Sequence, residues 1–300
     1  MLNVWRLQLL REVESRGSIK AAAEAACVSA SAVSQQLTIL EREVGTPLLE
    51  RHGRHVRLTD AGRLLVRHAH VITGAIAAAE ADLAQSLDRV TGTLRVAAFP
   101  TAARAVMPSV IDAVTRRYQG LRITLRDLES TESLDALRLD EIDLAIIDEY
   151  PDSVPVAADG LDVRHLFVDP FYVASTASRA SRRAVSLAQL RDAYWIMDTE
   201  SSPFFDAVMK MCRASGFEPQ IRANCKDFGV IIALVEGGLG VGMLPALALQ
   251  NRAVRAVVRP TRPPLSRRVN AVVRHERRRH PAIAAMLEEL VRFGSAYAAS

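Results

Sequence analysis

The sequence predicts an α/β protein in three parts: a small helical head, one long helix, and two lobes of alternating strands and helices. Three observations carry this prediction. Short helical patterns in the first 45 residues end at Gly17 and Gly45. No proline interrupts the alanine-rich stretch between Ala61 and Asp88. Beyond Gly92, strand-like runs alternate with helical patterns, which favours parallel sheet.

Length and composition describe an ordinary globular protein. The chain has 300 residues, of which 49% are hydrophobic and 24% charged, enough for two or three domains with a sizeable core. We expect neither a signal peptide nor a membrane span, because charges break the N-terminal pattern and no apolar run approaches about 20 residues. Three cysteines without CxxC spacing predict reduced thiols in a reducing cytoplasm.

The net charge of +4 is unevenly distributed along the chain. Residues 1–60 carry +1, residues 61–251 carry −5 and residues 252–300 carry +8. The net charge of the first sixty residues therefore does not indicate nucleic-acid binding. Evidence for such binding must come from the positions of individual basic residues. The basic run RHERRRH at 274–280 favours a solvated turn before the last helix over a second nucleic-acid patch.

The first sixty residues predict three helices in sequence. The first spans about Leu2 to Glu14, Ser18 caps a short alanine-rich second helix, and Ser29 caps a third that runs to about Val44. Apolar residues of the third helix recur at helical spacing and should face the core. They are Val33, Leu37 and Leu40.

The opposite face of the third helix carries small and polar side chains. Two short helices joined by a tight turn, with such groups on the second, are typical of a helix-turn-helix whose second helix enters the major groove. Hydroxyl and amide groups there can bond base edges and phosphates. Taken alone, a solvated helix face explains them better. The predicted DNA-contacting residues are Ser29, Ala30, Ser31, Ala32, Ser34, Gln35 and Thr38.

The segment LLERHGRHVRLT then favours the DNA interpretation. It follows Gly45 and Pro47 and predicts two short extended runs around Gly53. A basic hairpin beside a groove-reading helix is a wing, suited to phosphate or minor-groove contact. The three arginines of this hairpin recur at every third residue, as Arg51, Arg54 and Arg57.

Several short motifs follow one another through residues 2–62. They are Ala22-Ala23, Val28-Ser29, Val33-Ser34, Leu40-Glu41, Gly45, Leu48-Leu49 with Arg51, Leu58-Thr59 and Ala61-Gly62. With these motifs in this order, the region resembles the winged helix-turn-helix of LysR-type transcriptional regulators. Ala30 and Gln35 depart from the glutamine and arginine common in that family, which bears on operator preference. Ala26 and Leu49 replace a leucine and a phenylalanine in packing positions.

The segment from Thr59 to about Asp88 predicts one long helix with a heptad stripe. A helix of this length on a small domain has no core of its own to cover, so we expect it to pair with a second copy. The alternative is a single amphipathic helix lying on its own domain. The resemblance implies a homodimer or a dimer of dimers, reading a pseudo-palindrome. The predicted dimerisation stripe comprises Leu65, Ala69, Ile72, Ile76, Ala79 and Leu83.

Two similar α/β units are predicted beyond Gly92. The first has strands at 93–99, 122–128 and 144–148 and helices at 102–117 and 132–139. The second has a short helix after Ser186, strands at 194–197, 219–223 and 241–244, and helices at 203–215 and 227–236. Extended runs at 163–175, strands near 254–258 and 268–273, and a helix from Pro281 complete the pattern. Crossing extended segments between two such units suggest a two-lobed binding fold with a cleft.

The segments GTLRVAAFPTA, IDLAIID and ALVEGGLGVGMLP resemble the effector-binding domain of the same regulators. That domain has the architecture of type II periplasmic-binding proteins. The resemblance implies a DNA-binding domain at 1–59, a dimerisation helix at 60–90 and an effector domain at 91–300. Lobe I would comprise about 91–163 and 267–300, and lobe II about 164–266, so that the chain crosses near residue 164 and returns near 267.

In a fold of this kind, small ligands sit between the lobes at strand C-termini and helix N-termini. Free helix amides favour a carboxylate, while Asp227 argues equally for an amino group, so an amino acid would satisfy both. For each single residue, a simple helix cap is the alternative. The predicted effector-binding residues are Thr101, Ala102, Ser130, Thr199, Ser201, Ser202 and Asp227.

We therefore expect a DNA-binding transcriptional regulator of the bacterial cytoplasm that responds to a small-molecule effector and needs no cofactor. The resemblance implies promoter DNA, the effector, a second copy and RNA polymerase as partners. An enzyme is disfavoured because the cleft segments contain no GxSxG, HExxH or usable Cys–His set. A nucleoid-type protein without an effector is the other alternative. No metal is expected, since His68 and His70 point to different helix faces.

Overall fold

A computed structural model of the chain describes residues 1–52, 55–86, 90–151, 160–176, 183–250 and 252–299. It has a winged helical head, a long helix and two α/β lobes that share an extended sheet. This arrangement confirms the predicted fold class. In the described ranges, none of the helices combines the length and apolarity that crossing a membrane requires.

The head begins with three helices, α1 (Val4–Arg16), α2 (Ile19–Ala25) and α3 (Ala30–Val44). The side chains of Ser18 and Ser29 accept backbone amide bonds at the starts of α2 and α3, as predicted. The inner faces of the three helices share one apolar core, which makes the head a folded unit despite its small size. That core includes Leu7, Leu10, Val13, Val33, Leu37 and Leu40.

A two-stranded wing follows α3. Its strands β1 (Leu49–His52) and β2 (His55–Leu58) pair in antiparallel register. The side chain of Glu41, in the last turns of α3, accepts the backbone amides of Leu48 and Leu49 at 2.9 and 3.1 Å. This carboxylate therefore fixes the point at which the chain enters the wing.

The long helix α4 spans Asp60–Ser86. Its first turn is capped by Thr59, whose hydroxyl oxygen accepts the amide of Gly62 at 3.0 Å. A Cβ atom on Gly62 would lie 2.2 Å from the carbonyl oxygen of Leu48. Only glycine permits this close approach of α4 to the base of the wing, which gives a physical reason for the Ala61-Gly62 motif.

Lobe I starts with parallel strands β3 (Gly92–Ala98), β4 (Leu121–Asp127) and β5 (Leu144–Glu149), with β3 between the other two. Their connections are α5 (Pro100–Ala105), α6 (Met107–Arg117) and α7 (Ser130–Arg138). The prediction of one helix over 102–117 is wrong. The helix is interrupted at Val106, because Pro108 has no amide hydrogen to continue the ladder and lies instead in the first turn of α6.

Two long strands connect the lobes, β6 (Leu161–Ser175) and β12 (Ser266–Arg274). They pair in antiparallel register until Pro170 faces Ser266, and β6 then continues in lobe II. The outward crossing thus lies near Pro170 rather than near residue 164, because the ladder with β12 extends further than the sequence indicated. The return lies beside Ser266, close to the predicted position.

Lobe II completes the sheet. Its strands are β7 (Val185–Ser186), β8 (Tyr194–Met197), β9 (Gln220–Asn224), β10 (Val241–Pro245) and β11 (Val257–Arg262), and its helices are α8 (Pro203–Ala214), α9 (Phe228–Glu236) and α10 (Ala246–Leu249). The strand predicted near 254–258 lies later, because its pairing with β6 begins at Val257. The last helix, α11 (Pro281–Ala298), returns to the core of lobe I.

Candidate functional site

The first candidate site is the outward face of α3. Its predicted DNA-contacting residues are solvent-exposed except Ala32, which is half-buried. Ser29 Oγ caps the helix by accepting the amide of Ala32 at 3.1 Å, and the Thr38 hydroxyl donates to the Ser34 carbonyl at 3.0 Å. The side chains of Ser34 and Gln35 make no such bonds within the helix, so they can meet a DNA base edge.

The wing contributes Arg57, which is exposed on β2 and faces Glu50 across the hairpin. Arg54 and the side chain of Arg51 lie outside the part of the chain that the structure describes. The wing is therefore represented by a single described guanidinium, and the roles of the other two arginines stay predictions.

The predicted dimerisation stripe on α4 divides into two halves. Leu65 and Ala69 are buried in the core of the head, and Ile72 packs against it. These positions are covered by the chain itself, because the first turns of α4 lie on α1. The prediction that Leu65 and Ala69 face a second copy is corrected accordingly. Farther along, Ile76 is 40% exposed.

The exposed apolar surface of α4 is wider than the predicted stripe. Leu64 is 48% exposed and Val71 is 70% exposed, both outside the stripe. Ala79 and Leu83 are exposed as predicted members of it. The open apolar face of α4 thus combines the later half of the predicted stripe with Leu64 and Val71, which lie outside it.

The second candidate site is the region between the two lobes, which we call the cleft, and a buried network around Arg267 forms its floor. This side chain is only 3% exposed. Its guanidinium donates to Asp148 Oδ2 at 2.9 Å, to Asp169 Oδ2 at 2.9 Å and to Thr101 Oγ1 at 2.7 Å. The guanidinium carbon of Arg267 lies 4.7 Å from the ring centre of Phe99, which is a cation–π contact.

Asp169 extends this network into both lobes. It is fully buried and accepts the Tyr297 hydroxyl at 2.7 Å from α11 and the Leu247 amide at 3.1 Å from α10. Burial alone would lower the pKa of Arg267, but Tyr150 and the carboxylates of Asp169 and Asp148 raise it. The arginine is therefore a permanent cation that joins the two crossing strands to both lobes.

The predicted cleft residues of lobe I contribute to this floor. Thr101 is 5% exposed, and its hydroxyl oxygen is already occupied by Arg267. Ala102 has no exposed surface and belongs to the core of lobe I, so its side chain does not line the cleft as predicted. Ser130 is half-buried and donates to Asp148 Oδ1 at 2.5 Å. Ser130 and Thr101 thus meet through Asp148 and Arg267.

The predicted residues of lobe II surround a buried carboxyl group. Asp198 is 9% exposed and accepts the Ser202 hydroxyl and the Thr199 amide, each at 2.7 Å. Burial raises the pKa of Asp198, and the bonds from Ser202 and Thr199 only partly offset this. Ser201 is exposed nearby.

Two of the predicted ligand groups serve as helix caps. Ser202 accepts the amides of Phe204 and Phe205 at the start of α8, and Asp227 accepts the amide of Gly229 at 2.5 Å at the start of α9. The capping alternative is therefore realised for both. Asp227 is still exposed and can meet a ligand with its second oxygen.

One ion pair spans the cleft. Lys226 Nζ of lobe II lies 3.4 Å from Glu129 Oε1 of lobe I. Burial raises the pKa of Glu129, Lys226 lowers it, and the nearby charges of Asp148 and Asp198 raise it again. Lys226 is therefore the cation next to Glu129 and Asp198, while Asp148 nearby is paired with Arg267.

Sequence reasoning missed Arg267, Asp169, Asp148 and Lys226. Their neighbourhoods, such as PLSRRVN around Arg267, contain no spacing typical of a site. The signal is positional: Asp148 ends a predicted strand, and Arg267 lies at the predicted return crossing. A charged residue at a crossing between lobes could have been singled out.

Cys212, one of three cysteines, is fully buried on the inner side of α8, and burial raises the pKa of its thiol to about 12. Cys27 is exposed in the turn of the helix-turn-helix, and Cys225 packs against an apolar cluster of lobe II. In the described part of the chain, no three His, Cys, Asp or Glu side chains converge as metal ligands.

Family models match almost the whole chain. The model described as the bacterial regulatory helix-turn-helix protein, lysR family, matches residues 5–63, and that described as the LysR substrate binding domain matches residues 88–294. The transcriptional dual regulator GltC of Bacillus subtilis is 28% identical, covering 91% of both chains. A probable hydrogen peroxide-inducible genes activator of Streptomyces viridosporus is 30% identical over 78% of this chain and 75% of its own length.

Solved structures share the fold across the full length. A full-length OxyR variant from Pseudomonas aeruginosa gives a TM-score of 0.70 at 24% identity, covering 97% of this chain and 95% of that one. Full-length CbnR in complex with its target DNA gives 0.55 at 23% identity, covering 98% of this chain and 100% of that one.

Proposed function

The chain belongs to the LysR family of bacterial regulatory helix-turn-helix proteins, and from that premise we propose how it performs this role. It binds promoter DNA as a dimer or a dimer of dimers in the bacterial cytoplasm, with α3 in the major groove and the wing on the phosphates. The observation that carries this proposal is the polar face of α3, which is exposed while the opposite face of the same helix packs in the core of the head.

In this proposal Ser34 and Gln35 read base edges, and Arg57 contacts phosphate together with Arg51 and Arg54. The two heads are held by the exposed apolar face of α4, which includes Val71 and Ile76. RNA polymerase is the further partner that regulation of transcription would involve.

The proposed effector is an amino acid or a related small molecule bound between the lobes. Glu129 and Asp198 have raised pKa values because burial leaves their charge poorly compensated, and an ammonium group would supply the missing cation. Lys226, which pairs with Glu129, would be released to pair with the carboxylate of the same ligand once the ammonium group replaces it at Glu129. A peroxide response through Cys212 is disfavoured, because a buried thiol with a pKa of about 12 provides almost no thiolate.

The test is a gel shift on DNA from upstream of the gene and its divergent neighbour, with excess competitor DNA and with amino acids and small carboxylates added. Arg57→Ala should weaken binding to all sequences and make the salt dependence shallower by about one ion. Gln35→Ala should change sequence preference instead, and Arg213→Ala, an exposed arginine of lobe II, is the matched control. Unchanged nonspecific affinity of Arg57→Ala would exclude the wing contact.

A further inference from the structure

The head is held against lobe I of its own chain by contacts that the proposed function does not use. We call these contacts the seam. They join α1 and α4 to two parts of lobe I, the turn at residues 140–143 and the segment at residues 274–277. The seam lies apart from both the α3 face and the cleft. It therefore determines how the DNA-binding head is oriented on the effector domain.

An ion-pair chain forms one end of the seam. Arg16 of α1 bonds Glu12 Oε2 at 2.6 Å and Glu141 Oε1 of lobe I at 2.5 Å. The second oxygen of Glu141 accepts a bond from Arg126 of β4 at 2.9 Å. The side chains of Arg16 and Glu141 are 22% and 29% exposed, so water screens them less than a surface pair.

Close packing forms the other end of the seam. Gly74, in the middle of α4, is buried against Glu276, and a Cβ placed on Gly74 would lie 3.4 Å from the Cβ of Glu276. Beside it, Arg11 of α1 donates to Thr73 Oγ1 at 2.7 Å. A side chain at position 74 would meet the side chain of Glu276 directly, so the absence of one lets α4 and the segment at 274–277 approach closely.

The seam leaves the DNA-contacting face free. Ser34, Gln35 and Arg57 are exposed while the head is docked, so docking and DNA binding are compatible. We infer that the head docks on lobe I of its own chain through the seam, and that the docked head is competent to bind DNA. The DNA-binding part of this inference rests on the proposed function, whereas the docking itself does not.

Disulfide trapping tests the docking directly. In a Cys27→Ser background, Gly74→Cys combined with Glu276→Cys places two Cβ atoms near the ~3.5–4.5 Å that a disulfide spans. Mild oxidation should give a cross-link within one chain, seen as a faster monomer band on a non-reducing gel and as a linked peptide by mass spectrometry. The control pair Val71→Cys with Glu276→Cys, whose α4 position is 70% exposed, should form that intrachain link roughly tenfold more slowly or not at all.

Charge reversal tests the ion pairs. Arg16→Glu or Glu141→Arg alone should slow the intrachain cross-link by roughly two- to fivefold. The two together should restore the rate only in part, because the exchanged charges then face the like charges of Glu12 and Arg126. Arg213→Glu, which removes an exposed pair in lobe II, should leave it unchanged. Equal cross-linking rates in the two single variants, the double variant and Arg213→Glu would overturn the role of the ion pairs.

The oxidised protein should bind promoter DNA within about twofold of the reduced protein. A cross-link found only between subunits, or loss of DNA binding on oxidation, would overturn the inference. If neither form binds DNA specifically, the proposed function fails, and the cross-link still reports separately whether the seam exists.

Discussion

The seam and the cleft both bring carboxyl groups close to cationic side chains, yet they shift the pKa values of those groups in opposite directions. In the seam region, burial alone would raise the pKa values of Glu141 and Asp143, but bonds from arginines lower both. In the cleft, burial raises the pKa values of Glu129 and Asp198, and one lysine and a few hydrogen bonds only partly offset it.

The direction of the pKa shift thus distinguishes carboxyl groups that stabilise the fold from carboxyl groups that are available to bind a ligand. Asp143 receives bonds from the backbone and side chain of Arg95 and from Arg277, so its charge is compensated without any added molecule. Asp198 has bonds from Ser202 and Thr199 and the more distant charge of Lys226, which together do not outweigh its burial. A buried carboxyl group whose charge is undercompensated is a candidate for binding, whereas one surrounded by arginines serves to fix the structure.

The largest expected effect comes from Arg267, the buried cation that Asp169 and Asp148 share in the cleft. Arg267→Met would leave Asp169 and Asp148 without their cation and should lower the free energy of unfolding by about 3–5 kcal/mol. Urea or thermal unfolding measures this loss. The matched control is Arg268→Met, an exposed neighbour on the same strand, which should change it by less than about 0.5 kcal/mol. A loss below about 1 kcal/mol for Arg267→Met would show that this network does not hold the cleft together.

Asp143→Asn and Asp198→Asn compare the two regions directly, because the two residues are similarly buried, at 4% and 9% exposure. Asp143→Asn weakens the charged bonds with Arg95 and Arg277 and should cost about 2–4 kcal/mol. Asp198→Asn replaces a poorly compensated charge by a neutral group and should cost less than about 1 kcal/mol. Urea unfolding at pH 7 measures both, and equal losses would contradict the comparison.

The same pair of variants predicts a pH dependence of known sign. The folded-state pKa of Asp143 lies below its unfolded value, so its stabilisation is present above the unfolded pKa of about 3.9 and is lost as pH falls through the folded value. The pKa of Asp198 is raised, so the folded protein takes up this proton first and gains stability as pH falls towards 3.9. Asp143→Asn should therefore flatten the acid limb of the stability curve, and Asp198→Asn should steepen it.

The head could be predicted from the sequence almost residue by residue, because its determinants are local. Ser18 and Ser29 cap the helices that they precede, and the spacing of Val33, Leu37 and Leu40 gives the buried face of α3. The division of α4 could not be predicted in this way. Leu65 and Ala69 fit a heptad equally well whether their partner is a second chain or the chain's own α1, and only the tertiary fold decides.

The cleft was predictable in position but not in chemistry. Strand ends indicated Thr101 and Ser130, and both lie at the floor. Their partners Asp148 and Arg267 are distant in sequence, and a pairing over that separation leaves no local pattern. The crossing at Pro170 was misplaced for a similar reason, since the length of a ladder depends on both of its strands.

The smallest expected effect concerns Cys212, whose thiol is buried without a charged partner. Cys212 has only desolvation acting on it, which raises the pKa of its thiol to about 12. Alkylation of the native protein at pH 8 should therefore modify Cys27 readily and leave Cys212 unmodified until urea exposes it. Peptide mapping by mass spectrometry distinguishes the two, and Cys212→Ala should leave the modification of Cys27 unchanged. Rapid labelling of Cys212 in the folded protein would show that α8 separates from the core of lobe II, and a redox response would then again be a function to test.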